Sequence, residues 1–228
     1  ASSPEANPCH DHHAETDTSG RTPSDTRGST PTLDALERRV GGVRAGSASY
    51  VWQLGTVGYR LLQQDGSLKR PHEPSPRFLA HCLAVADTHL MLVRAQRRGI
   101  FRHVEVHTEP ESWRTFTGLG GERRTLQPDL FASTTQPRFV DRWFIEVDRG
   151  TESIPTLLGK CAVYEDYRRS GIEQSAAGIF PLVIWQLPST KRIDALAAAI
   201  ARSTHLLPEL FRFTLPDGLV SVMTGGAT

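Results

Sequence analysis

The sequence predicts a mixed α/β domain with the element order αβββαβαβ over residues 77–221. The order begins with a long helical pattern, which three strand-like runs follow. A second helical pattern is then followed by Phe180–Leu187, a continuous apolar run with Pro181 near its start and Pro188 after it. Such a run is typical of a fully buried strand. The last helix and strand patterns alternate again, which completes a mixed sheet with helices packed on it.

The first 32 residues are predicted to be a disordered tail. They contain no leucine, isoleucine, valine or aromatic residue, so they cannot bury an apolar core. The run Cys9–His13 carries several metal donors, but it lacks a second ligand pair at zinc-finger spacing. A solvated tail is therefore preferred over a metal site.

Residues 33–70 are predicted to form a segment similar to the end of a winged helix. The pattern indicates a helix over 33–43, a strand over 49–54 and a second helix over 56–63. Arg38 and Arg39 lie on the first helix and are candidate DNA contacts. The two upstream helices of a complete winged helix are missing, so the segment is truncated. A simple capping subdomain is the alternative.

A proline-containing linker over residues 65–76 precedes the core domain. The helices of this domain are predicted from apolar spacing at Arg77–Arg98, Glu152–Arg169 and Ile193–Ala201. Its strands are predicted from short apolar runs at Phe101–Val106, Leu126–Ala132, Arg138–Val147, Phe180–Leu187 and Leu210–Leu215. Thr151 or Ser153 is expected to cap the second helix, and Pro155 is tolerated in its first turn.

Charge and cysteine content restrict the class of protein. The formal net charge of the 228 residues is +1, which excludes a globally basic, histone-like mode of DNA binding but allows a local basic face. Three scattered cysteines argue against a disulfide framework and for a reducing compartment. No apolar run approaches the length of a membrane span, and the N-terminal residues lack a hydrophobic signal core. The protein is therefore expected to be cytoplasmic, with no membrane partner.

Three carboxylates and a lysine accompany two of the predicted strands. Asp129 follows Pro128, Glu146 and Asp148 lie at the end of the next strand, and Lys160 lies on the helix after it. A buried carboxylate is costly unless it is paired or holds a cation. Carboxylate oxygens suit hard ions such as Mg²⁺ or Mn²⁺. The pattern predicts a cation site at Asp129 and Glu146, with Asp148 as a third candidate ligand.

These motifs resemble two groups of proteins. Pro128-Asp129 followed at a distance by Glu-x-Asp is similar to the Pro-Asp…Asp/Glu-x-Lys signature of restriction-endonuclease-like nucleases. The run Glu146–Thr151, with Lys160 and Tyr164 downstream, resembles more closely the replication-relaxation family of plasmid-associated proteins. This resemblance covers roughly residues 36–215. It implies a restriction-endonuclease-like core, a winged-helix N-terminal segment and a role in plasmid replication and DNA relaxation.

Asp148 departs from the nuclease signature, because it occupies the position that usually carries lysine. A lysine there positions the attacking water and stabilises developing negative charge. The resemblance permits Lys160 on the following helix to take this role. For Asp148 itself, metal ligation and an ion pair with Arg149 or Lys160 are both open.

Three functions compete on this sequence. The first is Mg²⁺- or Mn²⁺-dependent cleavage or nicking of DNA, with Asp129, Glu146, Asp148 and Lys160 as the catalytic residues. The second is a non-catalytic DNA-binding or scaffolding protein, which Asp148 and the near-neutral charge favour. The third is an interaction module in which Tyr164, Tyr167 and the alanine-rich helix Ile193–Ala201 form a dimer face. The expected partners are a second copy of the chain or plasmid replication or transfer proteins. The candidate DNA-binding residues are arginines: Arg38, Arg39, Arg94, Arg97, Arg123 and Arg124.

Overall fold

A computed structural model describes residues 32–35, 51–62, 74–118 and 120–225. The chain divides into two compact units, residues 1–73 and residues 74–228. The predicted tail, Arg38 and Arg39, and most of the predicted linker lie outside the described residues, so the predictions made for them stay untested.

The described part of the first unit is a strand pair followed by a helix. Strand β1 (Leu33–Ala35) pairs antiparallel with β2 (Trp52–Leu54), and α1 (Thr56–Leu62) follows. The predicted helix over 33–43 is thus wrong at its first residues, because pairing with β2 overrides a weak helical pattern. Helix α1 packs closely on the start of β1. A Cβ at Gly58 would lie 2.2 Å from the Thr32 carbonyl oxygen, so only glycine fits there.

The second unit contains a five-stranded mixed sheet, which confirms the predicted α/β class. Its elements in chain order are α2 (Pro76–Arg97), β3 (His103–Thr108), β4 (Arg114–Thr117), β5 (Arg123–Leu126), β6 (Leu130–Thr135), β7 (Val140–Val147), α3 (Ile154–Ser170), α4 (Ile172–Ala177), β8 (Leu182–Gln186), α5 (Thr190–Ala201), β9 (Phe211–Thr214) and α6 (Leu219–Met223). The strand order is β3-β6-β7-β8-β9. The first three of these strands are antiparallel and the last three are parallel. Without β4, β5 and the short helices α4 and α6, the order is αβββαβαβ, as predicted.

The β4–β5 hairpin was not predicted. Its strands pair antiparallel, with Arg114 opposite Leu126 and Thr117 opposite Arg123. The predicted strand over 126–132 is in fact split between the end of β5 and the start of β6. The hairpin strands are rich in arginine and threonine and each has one buried residue, Phe116 or Leu126, so no apolar run marks them.

Helices cover both faces of the sheet because successive strand residues point to opposite sides. Phe144 and Trp185 belong to a buried cluster with residues of α3 and α5, such as Leu157. Ile145 belongs to a second cluster with residues of α2 and α6, such as Leu92. The polar ends of the strands are thereby left between α2 on one side and α3 on the other.

Helix α2 begins at a well-formed cap. The Ser75 side chain accepts a hydrogen bond from the Phe78 N–H at 3.2 Å, and proline occupies the first turn. Contrary to the expectation from sequence, this helix is long and apolar enough to cross a membrane by length and composition. Only 17% of the apolar 18-residue window of α2 is buried, although Leu92 and Ala95 pack into the second cluster. One helix of this kind is weak evidence for a membrane span.

Candidate active site

A cavity of about 260 Å³ lies at the carboxyl ends of the parallel strands β7 and β8. Ligands of open α/β sheets bind at this edge. Because β6 runs antiparallel to β7, its first residues lie at the same edge. All four predicted catalytic residues line this cavity: Asp129, Glu146, Asp148 and Lys160.

Asp129 is fixed between β7 and α2. Its Oδ2 accepts the backbone N–H of Val147 at 2.6 Å, which ties it to the last residue of β7. Its Oδ1 lies 3.0 Å from His81 Nε2. The hydrogen bond to Asp129 raises the pKa of His81 against the opposing effect of burial. His81 was not predicted as a site residue. Its only signal in the sequence is that an ionisable side chain stands within the apolar pattern of α2.

Glu146 is a buried acid on the face of β7 that packs against α3. Its exposed fraction is 3%, and the Tyr164 hydroxyl donates to its Oε1 at 2.5 Å. Burial, reinforced by the negative charge of Asp129, raises the pKa of Glu146 to about 8, although Lys160 opposes the shift. Glu146 is therefore largely protonated at neutral pH unless a cation reaches it.

Lys160 faces this acid from α3. Ser153 caps the helix by accepting the Thr156 N–H, and Lys160 lies one turn before Tyr164, so both side chains reach the same part of β7. Lys160 Nζ lies 2.9 Å from Glu152 Oε2 and 3.9 Å from Glu146 Oε2. Burial lowers the pKa of Lys160, but the neighbouring carboxylates outweigh it and the net shift is upward. The lysine therefore stays charged beside Glu146.

Asp148 faces a different partner from the one predicted. The Arg192 guanidinium binds both its carboxylate oxygens, and Arg192 Nη2 also donates to the Glu152 carbonyl oxygen at 2.6 Å. The Asp148 side chain is only 2% exposed. The predicted ion pair with Arg149 or Lys160 is thus wrong, since the partner comes from the first turn of α5. With both oxygens held in this way, Asp148 is a poor candidate ligand.

Neither of the other two predicted ligands is held by an arginine: Asp129 accepts the Val147 N–H and contacts His81, and Glu146 accepts the Tyr164 hydroxyl. Their carboxylates fit a hard cation. Across the described ranges, no three histidine, cysteine or acidic side chains are grouped as a metal-binding set. Mg²⁺, however, is commonly held by one or two carboxylates together with substrate phosphate and water. The negative charge of Asp129 raises the pKa of Glu146, because two carboxylates this close repel each other when both are ionised. A divalent cation would relieve this repulsion.

Four of the arginines predicted to bind DNA are described, and they lie elsewhere on the second unit. Arg94 and Arg97 occupy the last turn of α2, about 20 Å along the helix axis from His81. Arg124 is paired with Asp166 of α3. Arg123 is exposed on β5 and, like the others, does not line the cavity. DNA contacts at these positions stay predictions.

Two arginines that were not predicted to bind DNA line the cavity instead. Arg77, on the first turn of α2, donates from Nη2 to the Thr151 carbonyl oxygen at 3.0 Å. Arg149 is exposed at the end of β7.

The alanine-rich helix of the predicted dimer face stays untested, but the placement of Tyr164 and Tyr167 on that face is wrong. Their exposed fractions are 0% and 1%, so neither ring reaches the surface. Tyr164 binds Glu146, and the Tyr167 hydroxyl donates to Glu173 at 2.8 Å. The spacing of Tyr164 and Tyr167 places both on one side of α3, as the sequence indicated. It does not show whether that side faces the core or the surface.

A family model described as replication-relaxation matches residues 29–183, which is more than half of the chain. The matched region includes Asp129, Glu146, Asp148 and Lys160. No curated protein and no solved structure matches the chain.

Proposed function

Since this chain belongs to the replication-relaxation family, which indicates a role in plasmid replication or relaxation, we propose that its cavity cleaves or nicks a phosphodiester bond of DNA. We also propose that the core domain is related to the restriction-endonuclease-like nucleases. The order of the core elements supports this relationship, as does the set of two carboxylates and one lysine at the sheet edge.

The convergence of Asp129, Glu146 and Lys160 is the observation that carries this proposal. Asp129 directly precedes β6, Glu146 lies on β7 and Lys160 on α3, and all three line one cavity. Burying Glu146 with a pKa of about 8 costs stability, because its charged form is disfavoured at neutral pH. Strongly perturbed acids in a cavity with a specific charge partner are typical of functional sites.

Each residue has a distinct role in the proposed reaction. A bound Mg²⁺ or Mn²⁺, held by Asp129 and Glu146, would polarise the phosphate and lower the pKa of a water molecule. Lys160 places a positive charge where negative charge develops on the phosphate. Glu152 holds the lysine in place, while Tyr164 fixes the carboxyl group of Glu146.

A plasmid-nicking assay tests this function. Wild type is expected to nick supercoiled DNA with Mg²⁺ or Mn²⁺ but not in EDTA. Asp129→Asn, Glu146→Gln and Lys160→Met should each lower the rate by about 10²–10³, the usual cost of removing one electrostatic contact. Glu105→Gln is the matched control, because Glu105 is exposed on β3, pairs only with His107 and does not line the cavity. Nicking that survives Asp129→Asn would refute the assignment.

A second function, DNA binding or scaffolding without cleavage, is favoured by one observation. Asp148 stands where the nuclease signature has lysine, and Arg192 holds it in place. This function predicts DNA binding by wild type without nicking in either metal, and a melting temperature that does not respond to Mg²⁺ or Mn²⁺.

A further inference from the structure

Phe78 is an exposed aromatic ring at the wall of the cavity. Its exposed fraction is 57%, although phenylalanine is usually buried. Single exposed apolar side chains are common on protein surfaces, so exposure alone indicates nothing. The position of Phe78 is what matters. It lies one turn, about 5 Å along the helix axis, before His81, which contacts Asp129.

The backbone of Phe78 is held before any ligand arrives. Ser75 accepts its N–H, and Pro76 fixes the start of the helix. Side chains on a helix lean towards its N-terminus, so this ring lies over the capped end of α2. Because the backbone here is already fixed, ligand binding restricts only the rotamers of the ring itself.

The charges around this ring favour an anion. Arg77, Arg149 and Lys160 line the same cavity. Each carboxylate of the cavity already has a partner within the protein: His81 for Asp129, the Tyr164 hydroxyl for Glu146, Arg192 for Asp148 and Lys160 for Glu152. A positive rim with an exposed aromatic ring is the usual combination for a nucleic-acid strand, because the backbone binds the cations and a base stacks on the ring.

Stacking also restricts the form of the nucleic acid. Inside a duplex both faces of each base are covered by neighbouring base pairs. A protein ring therefore stacks freely on an unpaired base, whereas in a duplex it must first unstack a base step, at a cost of a few kcal/mol. We propose that Phe78 is a stacking platform for an unpaired nucleobase next to the phosphate at Asp129, Glu146 and Lys160, and that the protein prefers single-stranded or locally opened DNA. That a DNA phosphate binds beside Asp129, Glu146 and Lys160 rests on the proposed function.

Binding measured without cleavage tests this inference. Fluorescence anisotropy with a labelled oligonucleotide, as a single strand and as the duplex, is recorded in EDTA and in Ca²⁺. Phe78→Leu keeps an apolar side chain but removes the ring, and it should weaken single-strand binding by about five- to a hundred-fold. Duplex binding should change little. Phe78→Tyr should restore single-strand affinity.

Phe139→Leu is the matched control. Phe139 is exposed to a similar extent, 53%, in the turn before β7. It lies about 23 Å from the cavity along that strand. This variant should bind both forms of DNA like wild type.

The location of the stacked base is tested with single strands that carry one abasic position. In wild type, one abasic position should weaken binding more than the others, and in Phe78→Leu that difference should vanish. Equal losses of single-strand and duplex binding in Phe78→Leu would overturn the inference, as would wild-type affinity in this variant. A ring-dependent preference for single strands in a protein that nicks no DNA would support the inference while the cleavage proposal fails.

Discussion

Replacing Glu146 with glutamine should stabilise the protein increasingly as the pH rises. The amide keeps an oxygen for the Tyr164 hydroxyl, which now donates to Glu146 Oε1, but it cannot ionise. Below pH 4.5, the carboxyl group of wild type is neutral in both the folded and the unfolded chain. The two proteins should then have similar free energies of unfolding.

The sign and size of the effect follow from the shift in pKa. Burial raises the pKa of Glu146 from 4.5 to about 8 in the folded protein. Between these values the folded state binds more protons than the unfolded state, so stability falls as the pH rises. The contribution is complete below pH 4.5 and is lost as the pH passes 8. At about 1.4 kcal/mol per pKa unit, the loss reaches about 3 kcal/mol at pH 7 and at most about 5 kcal/mol at higher pH.

Urea unfolding followed by circular dichroism from pH 4 to pH 9, in EDTA, measures this difference. Glu165→Gln provides a control of opposite sign. Hydrogen bonding from Arg168 lowers the pKa of Glu165, so its stabilising contribution is present above pH 4.5 and is lost as the pH falls. That variant should be less stable than wild type at pH 7, by an amount that shrinks towards low pH. A constant difference between Glu146→Gln and wild type across the range would refute the reasoning.

Three further predictions concern the metal, an ion pair and the tail. Mg²⁺ or Mn²⁺ at a hundredfold excess over Kd should stabilise wild type by about 2.7 kcal/mol in thermal melts, and Asp129→Asn should remove the gain; a flat titration counts against a cation site. Arg192→Gln should cost about 3–5 kcal/mol in urea unfolding, because it leaves the Asp148 side chain, 2% exposed, without its ion-pair partner. The double variant with Asp148→Asn should recover part of this loss, and no recovery would mean that Arg192 acts elsewhere. Deleting residues 1–30, which contain no large apolar side chain, should leave Tm nearly unchanged, whereas a large drop would mean that they dock on the folded protein.

Elements that bury a continuous apolar surface could be predicted from the sequence. Helix α2 and strand β8 lie within a few residues of their predicted bounds. The β4–β5 hairpin could not be predicted, because its stability depends on packing against α3 and not on an apolar pattern of its own. Strand β1 was mistaken for a helix, since three residues are too few to distinguish the two periodicities.

The candidate site was predictable only in part. Carboxylates at strand ends are visible in a sequence, because they interrupt or follow apolar runs, and the structure does bring Asp129 and Glu146 to one cavity. The groups that position them are not visible. His81 contacts Asp129 across 48 residues, and Arg192 contacts Asp148 across 44. Contacts at such separations depend on the packing of helices, which local patterns do not specify.

The pair of Asp148 and Arg192 has an evolutionary consequence. Asp148→Lys alone would place a second cation against the partly buried Arg192, and Arg192→Asp alone would place a second anion against Asp148. Either intermediate leaves an uncompensated charge in a poorly solvated place, so the two positions are expected to change together.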